Sequence, residues 1–274
     1  MAYGQRAEHE LLEARLLDAI EKGRKGSVAV IPFLSPGEHR RAERFLRGAG
    51  AFRQAWFFGG YPEAERVCLF LLPDYLADMQ ETPISDAPAE EIKALLDEEL
   101  AEAVCAVRIK GSGFRRLSHR DFLGAVLGLG IQRDAVGDLA VQDESTAVLF
   151  CSRTLAEFFK TDLVKVGADT VRCTDYTPDE NFTDGRRYAP ICDTVASARL
   201  DCVVAALCNL SRDAAQNAIR AGLVDVEYET AERTDLLLAA PTTISVRGHG
   251  KFILRAFDGE TRKGRLRLRA DKLI

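Results

Sequence analysis

The stretch Arg199-Leu200-Asp201-Cys202-Val203-Val204-Ala205-Ala206-Leu207-Cys208-Asn209-Leu210-Ser211-Arg212-Asp213-Ala214-Ala215-Gln216-Asn217-Ala218-Ile219-Arg220-Ala221-Gly222 reads as two short helices in close succession. Leu200, Val203, Val204 and Leu207 recur at helical spacing and give the first helix one buried side. Asn209-Leu210-Ser211-Arg212 breaks that helix and starts the next, with Ser211 as N-cap and Gly222 as the residue just past the C-terminus. At about 100° per residue, Arg212, Gln216 and Arg220 share one side of the second helix, while Ala214, Ala215, Ala218, Ile219 and Gly222 share the other. The helix therefore packs with small residues and offers two guanidinium groups and an amide, donors suited to phosphates and base edges. A charged, solvated face has the same pattern.

Downstream, Val224-Asp225-Val226-Glu227-Tyr228 and Thr243 to Arg247 alternate as strands do, the second ending at Gly248-His249-Gly250. Arg265-Leu266-Arg267-Leu268-Arg269 also alternates, so the three arginines share one strand face at intervals of about 6.6–6.8 Å with the leucines turned inward. Such a row fits a phosphate backbone and is expected to extend the sheet and join Arg247 and Lys251 in one basic surface. An edge strand protected by charge would read the same way. The charge distribution separates this end from the rest. Residues 1–180 hold 22 Lys and Arg against 30 Asp and Glu, and residues 181–274 hold 15 against 12, within a chain of net charge −5. Contrast of this kind is a sign of polyanion binding at the basic end.

At 274 residues, 47% hydrophobic and 29% charged, the chain has the composition of a globular protein of two or three small domains. Its longest apolar run, Val67 to Leu72, is too short to span a bilayer, and the charged N-terminus lacks the apolar core of a secretory signal. Seven scattered cysteines without C-x-x-C spacing read as reduced cytoplasmic thiols, and they and the four histidines give no metal-ligand pattern.

Ahead of the basic end, two modules are expected. In the first, over 1–82, two helices (the second capped by Ser35-Pro36-x-Glu38) precede strands over Phe52–Phe58 and Arg66–Leu72, joined by Gly59-Gly60-Tyr61-Pro62. Residues 80–90 read as a linker. The second, over 89–175, runs helix (Ala89–Asp97), strand (Val104–Ile109), helix from Ser118, strands (Val136–Val141, Ala147–Phe150), helix from Ser152 and closing strand (Leu163–Cys173). After the first helix the order is β-α-β-β-α-β, the ferredoxin-like arrangement that RRM-type RNA readers share with many proteins that bind no RNA. Phe150 is the one aromatic where such readers carry several. Residues 174–193 read as a second linker, and the third module occupies 194–274. The fold class is thus α+β in three small modules: an N-terminal α/β module, a ferredoxin-like (RRM-like) module and a basic C-terminal one.

His119-Arg120-Asp121 matches the kinase H-R-D only in part, since no glycine-rich loop, strand lysine or D-F-G accompanies it. It also resembles the H-R-L-D of pseudouridine synthases without the leucine. A helix start with Asp121 in the first turn explains it without chemistry. Gly111-Ser112-Gly113 lacks the rest of a dinucleotide loop.

Arg199-Leu200-Asp201, Leu210-Ser211-Arg212, Ala215, Ile219, Gly222, Val224-x-Val226 and Ile244-Ser245-Val246-Arg247-Gly248 together resemble the S4 RNA-binding domain over residues 194–255. The resemblance implies RNA contact at Arg199, Ser211, Arg212, Gln216, Arg220 and Gly222, to which the strand patterns add Arg247, Lys251, Arg265, Arg267 and Arg269. Phe33-Leu34-Ser35-Pro36, Phe57-Phe58-Gly59-Gly60-Tyr61-Pro62-x-Ala64-Glu65-Arg66, Leu117 to Ala125, Leu127 to Ile131, Val136-Gly137-Asp138 and Gly259 to Arg265 extend it to the YlmH-like family of bacterial S4-domain proteins. Membership implies a factor of ribosome-associated quality control on the large ribosomal subunit, contacting ribosomal RNA and tRNA. It implies no catalytic residue, cofactor, metal, small-molecule substrate or membrane. An RNA-modifying enzyme of pseudouridine synthase type is the alternative. A division-associated scaffold, a third class, lacks any amphipathic membrane helix in the sequence.

Overall fold

The computed structural model describes residues 2–79 and 82–274, so Gln80 and Glu81, at the start of the expected first linker, lie outside the described residues. The chain divides into two compact units, Met1–Gly185 and Arg186–Ile274.

In the first unit, α1 (Ala2–Arg24) and α2 (Pro36–Gly48) pack on a sheet of β1 (Ala29–Leu34), β2 (Ala55–Phe58) and β3 (Val67–Leu71), in the order β1-β3-β2 with antiparallel neighbours. Ser35 caps α2 through a capping box with Glu38, as its sequence indicates. Strand β1 is not legible in the sequence because Pro32 interrupts its apolar run. It is tolerated because β1 is an edge strand whose register shifts between Ile31 and Leu34. Phe52–Gln54 forms a 3-10 turn, so only Ala55–Phe58 of the expected strand is extended.

After α3 (Asp74–Asp78), the residues read as a linker are partly core. Ile84 is fully buried in the turn Ile84–Asp86, followed by α4 (Ala89–Leu95) and α5 (Asp97–Ala103). Then come β4 (Cys105–Lys110), α6 (His119–Gly128), β5 (Val136–Val141), β6 (Thr146–Cys151), α7 (Arg153–Asp162), a small hairpin of β7 (Lys165–Val166) and β8 (Asp169–Thr170), and β9 (Arg172–Tyr176). The main strands form a sheet in the order β5-β6-β4-β9 with every neighbour antiparallel. The closing strand begins later than expected because the chain first turns back at Gly167, where φ is +58°.

One face of this sheet buries Val107, Ile109 and Leu149 against Phe122, Val126 and Phe159 of α6 and α7. On the other face Ala106, Val148 and Phe150 share a core with Phe33, Trp56, Tyr61, Phe70 and Ile92, so the first two expected modules meet in one hydrophobic cluster. Phe150 is therefore no base-stacking platform. Its ring lies 5.1 Å from that of Tyr61 and 5.6 Å from that of Phe182.

The motifs that carried the family resemblance are the fastening of this joint. The buried Asp138 carboxylate accepts from Tyr61 Oη at 2.6 Å and from the backbone N–H groups of Glu65 (2.7 Å) and Arg66 (3.2 Å). Arg66 in turn donates through Nε to Val136 O and through Nη2 to Phe33 O. Gly60, at φ +106°, lies so near the Phe150 ring that a Cβ would sit 2.2 Å from it. Three donors converging on one buried carboxylate make its removal costly.

In the second unit, β10 (Tyr188–Val195), α8 (Leu200–Cys208), α9 (Arg212–Arg220), β11 (Val224–Val226), β12 (Glu229–Thr230), β13 (Thr242–Val246), β14 (Gly250–Glu260) and β15 (Leu266–Leu273) form a sheet ordered β10-β15-β14-β13-β11-β12. Its inner face packs on α8 and α9 through Val203, Val204, Leu207, Ala215, Ile219, Phe252, Leu254 and Leu268. Tyr188–Val195, read as linker up to Asp193, is a full strand pairing with β15 along its length. Only alternate positions of it turn inward, which leaves too weak an apolar signal to find. β15 lies between β10 and β14, so protection of an edge does not explain its arginines.

Trp56, the single tryptophan, sits in the shared core of the first unit and so reports the unfolding of that unit alone. We expect Asp138→Ala to destabilise the first unit by about 3 kcal/mol and Tyr61→Phe by only about 1 kcal/mol, read as shifts of the Trp56 fluorescence transition in urea. Equal effects of the two substitutions would contradict the convergence on Asp138.

Candidate nucleic-acid interface

Two helix ends set the local geometry. Asn209, at φ +52°, ends α8 in the left-handed conformation, with Leu210 N bonded to Ala205 O, and Gly222, at φ +66°, ends α9 with Leu223 N bonded to Ala218 O. Between them Ser211 caps α9, its Oγ accepting from Ala214 N. The tight turn brings the first turn of α9 beside the first turn of α8.

There Asp201, with no solvent exposure, gathers the residues expected to contact RNA. Its Oδ2 accepts from Arg199 Nη2 (3.1 Å), Arg212 Nε (3.0 Å) and Gln216 Nε2 (2.8 Å), and its Oδ1 from Arg199 Nε (3.1 Å) and Cys202 N (2.9 Å). The carboxylate is covered by its own partners, whose outer sides remain accessible: the side chains of Arg199 and Arg212 are 35% and 54% exposed. Burial alone would push the Asp201 carboxyl up. The hydrogen bonds from Arg199, Gln216, Arg212 and Cys202 outweigh that and hold it far below the usual carboxylate range. A guanidinium has five N–H donors, and Arg212 uses only Nε here, so its terminal groups are fixed in direction and left to face outward.

Sequence reasoning singles out the donors and misses the acceptor. A carboxylate in a first helical turn reads as a dipole-compensating residue, and only the neighbouring helix reveals what covers it. Arg220 is exposed at the end of α9. Arg247 is exposed too, and its backbone N–H bonds to Leu223 O in the turn that follows α9. Neither side chain has a partner among the described residues. Lys251 Nζ lies 5.1 Å from the Tyr228 ring centroid. Two acidic groups of the following strand region are engaged within the sheet: Glu227 accepts from Thr243 N and Asp225 from Thr230 Oγ1.

The tail arginines do share the outer face of the sheet, but they do not form an open row. Arg269 is paired with Asp258 at 2.9 Å, Arg265 reaches Thr194 through Nε at 3.0 Å, and Arg267 alone of the three has no partner among the described residues. Arg255 is paired with Asp271 at 2.7 Å. Since Lys272 pairs with Phe252, Lys251 and Arg267 lie roughly 20 Å apart along the strand direction, with those two ion pairs between them. The expected continuous basic surface is thus broken by alternating charge.

Asp121, weighed as a catalytic residue, is the N3 partner of a capping box: its Oδ2 accepts from Ser118 N at 2.8 Å and from Ser118 Oγ at 2.6 Å. Burial pushes the Cys68 thiol up to about 12 and the thiols of Cys173 and Cys208 up to about 11, so these three are not nucleophiles near neutral pH.

Because the Asp201 carboxyl titrates lower in the folded chain than in the unfolded one, its contribution is full above the unfolded value near 4 and is lost as pH falls through the folded value. We expect Asp201→Asn to cost the second unit about 3 kcal/mol at neutral pH and to remove that part of its acid sensitivity. Amide hydrogen exchange of α8 and α9, followed between pH 3 and 7, checks both. Unaltered protection in the variant would contradict the clamp.

Residues 100–180 match a family model described as "Putative RNA-binding domain in YlmH". The chain is 29% identical over 213 residues to the ribosome-associated protein quality control protein P2 of Bacillus subtilis (strain 168), covering 77% of this chain and 75% of that protein. Among solved structures it is similar to the cell division protein ylmH from Streptococcus pneumoniae, with 18% identity and a TM-score of 0.45 over 62% of this chain and 91% of that one. The chain is thus similar to YlmH proteins, with the family match falling on residues 100–180.

Proposed function

We propose that this protein is a non-catalytic RNA-binding factor that acts in the cytoplasm on the large ribosomal subunit, contacting ribosomal RNA and tRNA, during ribosome-associated quality control. The name of the Bacillus subtilis relative supports the process. The observation that carries RNA contact is the Asp201 clamp, which fixes Arg199, Arg212 and Gln216 with outward-facing donors beside Ser211 and the exposed Arg220. Preset guanidinium groups lose little freedom on meeting a phosphate, so the affinity they supply is not spent on ordering them. We read residues 194–274 as an S4-like module preceded by strand β10, residues 89–175 as ferredoxin-like, and residues 1–82 as a supporting α/β module. Arg265 and Arg269 serve the sheet first, Arg247 and Gly222 complete the clamped surface, and Lys251 and Arg267 offer separate cationic points on the outer face of the sheet.

The test is co-sedimentation with purified large subunits over a range of salt. Arg220→Gln with Arg247→Gln removes two exposed charges that hold nothing in the fold, so stability is expected to stay within about 0.5 kcal/mol. Binding weakens, and the slope of log affinity against log salt becomes shallower by about 0.7–0.9 for each phosphate no longer neutralised. Wild-type affinity and slope in this double variant would contradict the proposal.

A further inference from the structure

The four-stranded sheet of the first unit carries cations that the reading above does not use. Arg108 and Lys110 of β4 lie on the face opposite α6 and α7, as do Arg172 and Thr174 of β9, with Arg108 paired to Thr174 and Lys110 to Arg172 in the register. The shared core covers the Ala106 and Phe150 end of this face and leaves the other end open. There Arg108, Lys110, Arg172, Ser112, Thr170 and Thr174 line a groove of about 440 Å³. Arg108 is held flat, its guanidinium 4.2 Å over the Tyr176 ring. Lys110 and Arg172 have no partner among the described residues, whereas nearby carboxylates are occupied: Asp169 by Ser112, Asp175 by Lys160 and Glu144 by Arg116.

Two residues beyond Ser112 of the groove comes Phe114, 96% exposed, on a loop that is built rather than loose. Asp169 accepts from both Ser112 N (3.0 Å) and Ser112 Oγ (2.6 Å), Ser112 Oγ accepts from Phe114 N (3.2 Å), and Gly111 and Leu117 bond across to Ser145 O and Glu144 O. Gly111 is needed there, because a Cβ would sit 2.6 Å from Asp169 Oδ2. An aromatic ring held in water next to Arg115 and a cationic groove has the inventory of a stacking platform beside a backbone track. Val171 is the one apolar side chain among the groove's lining residues, beside three cations and three hydroxyls.

We propose that this groove is a second RNA contact, taking an unpaired segment with its phosphates along Lys110, Arg108 and Arg172 and one base stacked on Phe114. The proposal rests on the reading of the chain as an RNA binder but not on the clamp in the second unit. It is tested with the full chain and a single-stranded RNA of about 12 nucleotides, folding being checked by Trp56 fluorescence. Arg108 is left in place because it stacks on Tyr176. Lys110→Gln with Arg172→Gln should lower the salt slope by about 0.7 for each phosphate no longer neutralised, and Phe114→Ala should weaken binding roughly tenfold. Both effects should persist when Arg220→Gln and Arg247→Gln are already present, and a photoreactive nucleotide in the RNA should crosslink to Phe114. If the folded groove variants bind this RNA with wild-type affinity and slope, the proposal is overturned while the C-terminal reading stands. Loss of binding to a polyglutamate peptide with RNA binding unchanged overturns it in favour of an acidic protein partner. A wild-type chain that binds no RNA overturns both readings.

Discussion

A carboxylate without solvent exposure, Asp201, decides what the C-terminal unit can present. Two arginines, a glutamine amide and a backbone N–H converge on it, and those bonds more than offset the cost of burying its charge. The result ties α8 to α9 at the edge of the core that both share with the sheet. It also orients the guanidinium groups, so that stability and the capacity to meet phosphates come from one arrangement. Losing Asp201 would leave the same cations present and their direction unset, which separates net charge from recognition.

Asp138 does comparable work in the first unit with a different outcome. It collects a tyrosine hydroxyl and two backbone N–H groups inside a core made jointly by the first two modules, so these bonds fasten packing. The Gly-Gly-Tyr-Pro and Val-Gly-Asp strings that carry the family resemblance are therefore packing motifs. Gly60 stands against the Phe150 ring and Gly137 against Phe33, where a side chain has no room. Exposed loops and strand ends of the same unit are free to carry recognition, which is where Phe114, Lys110 and Arg172 lie.

What is legible in the sequence follows from the range of the forces involved. Caps at Ser35, Ser118, Ser152 and Ser211 act within one helical turn, so each can be read from neighbouring residues. The β-α-β-β-α-β order and the stripe of Arg212, Gln216 and Arg220 follow from periodicity. Strand β1 is hidden by Pro32, and β10 by its alternation on a sheet with one exposed face. The partners of Arg255 and Arg269 depend on a register interrupted by bulges in β14, which no local pattern reports. Hence the tail reads as a net-basic surface, whereas the folded face alternates in sign. The role of Asp201 is invisible for the same reason: two of its donors, Arg212 and Gln216, come from the next helix.

If the clamped face of α8 and α9 is what meets RNA, cryo-electron microscopy of the full chain bound to a large subunit carrying peptidyl-tRNA will show it. RNA phosphates are expected within hydrogen-bond reach of Arg212 and Arg199, with both guanidinium groups still bound to Asp201. A bound state in which α8 and α9 face solvent or ribosomal protein, with no RNA near those donors, would contradict that role.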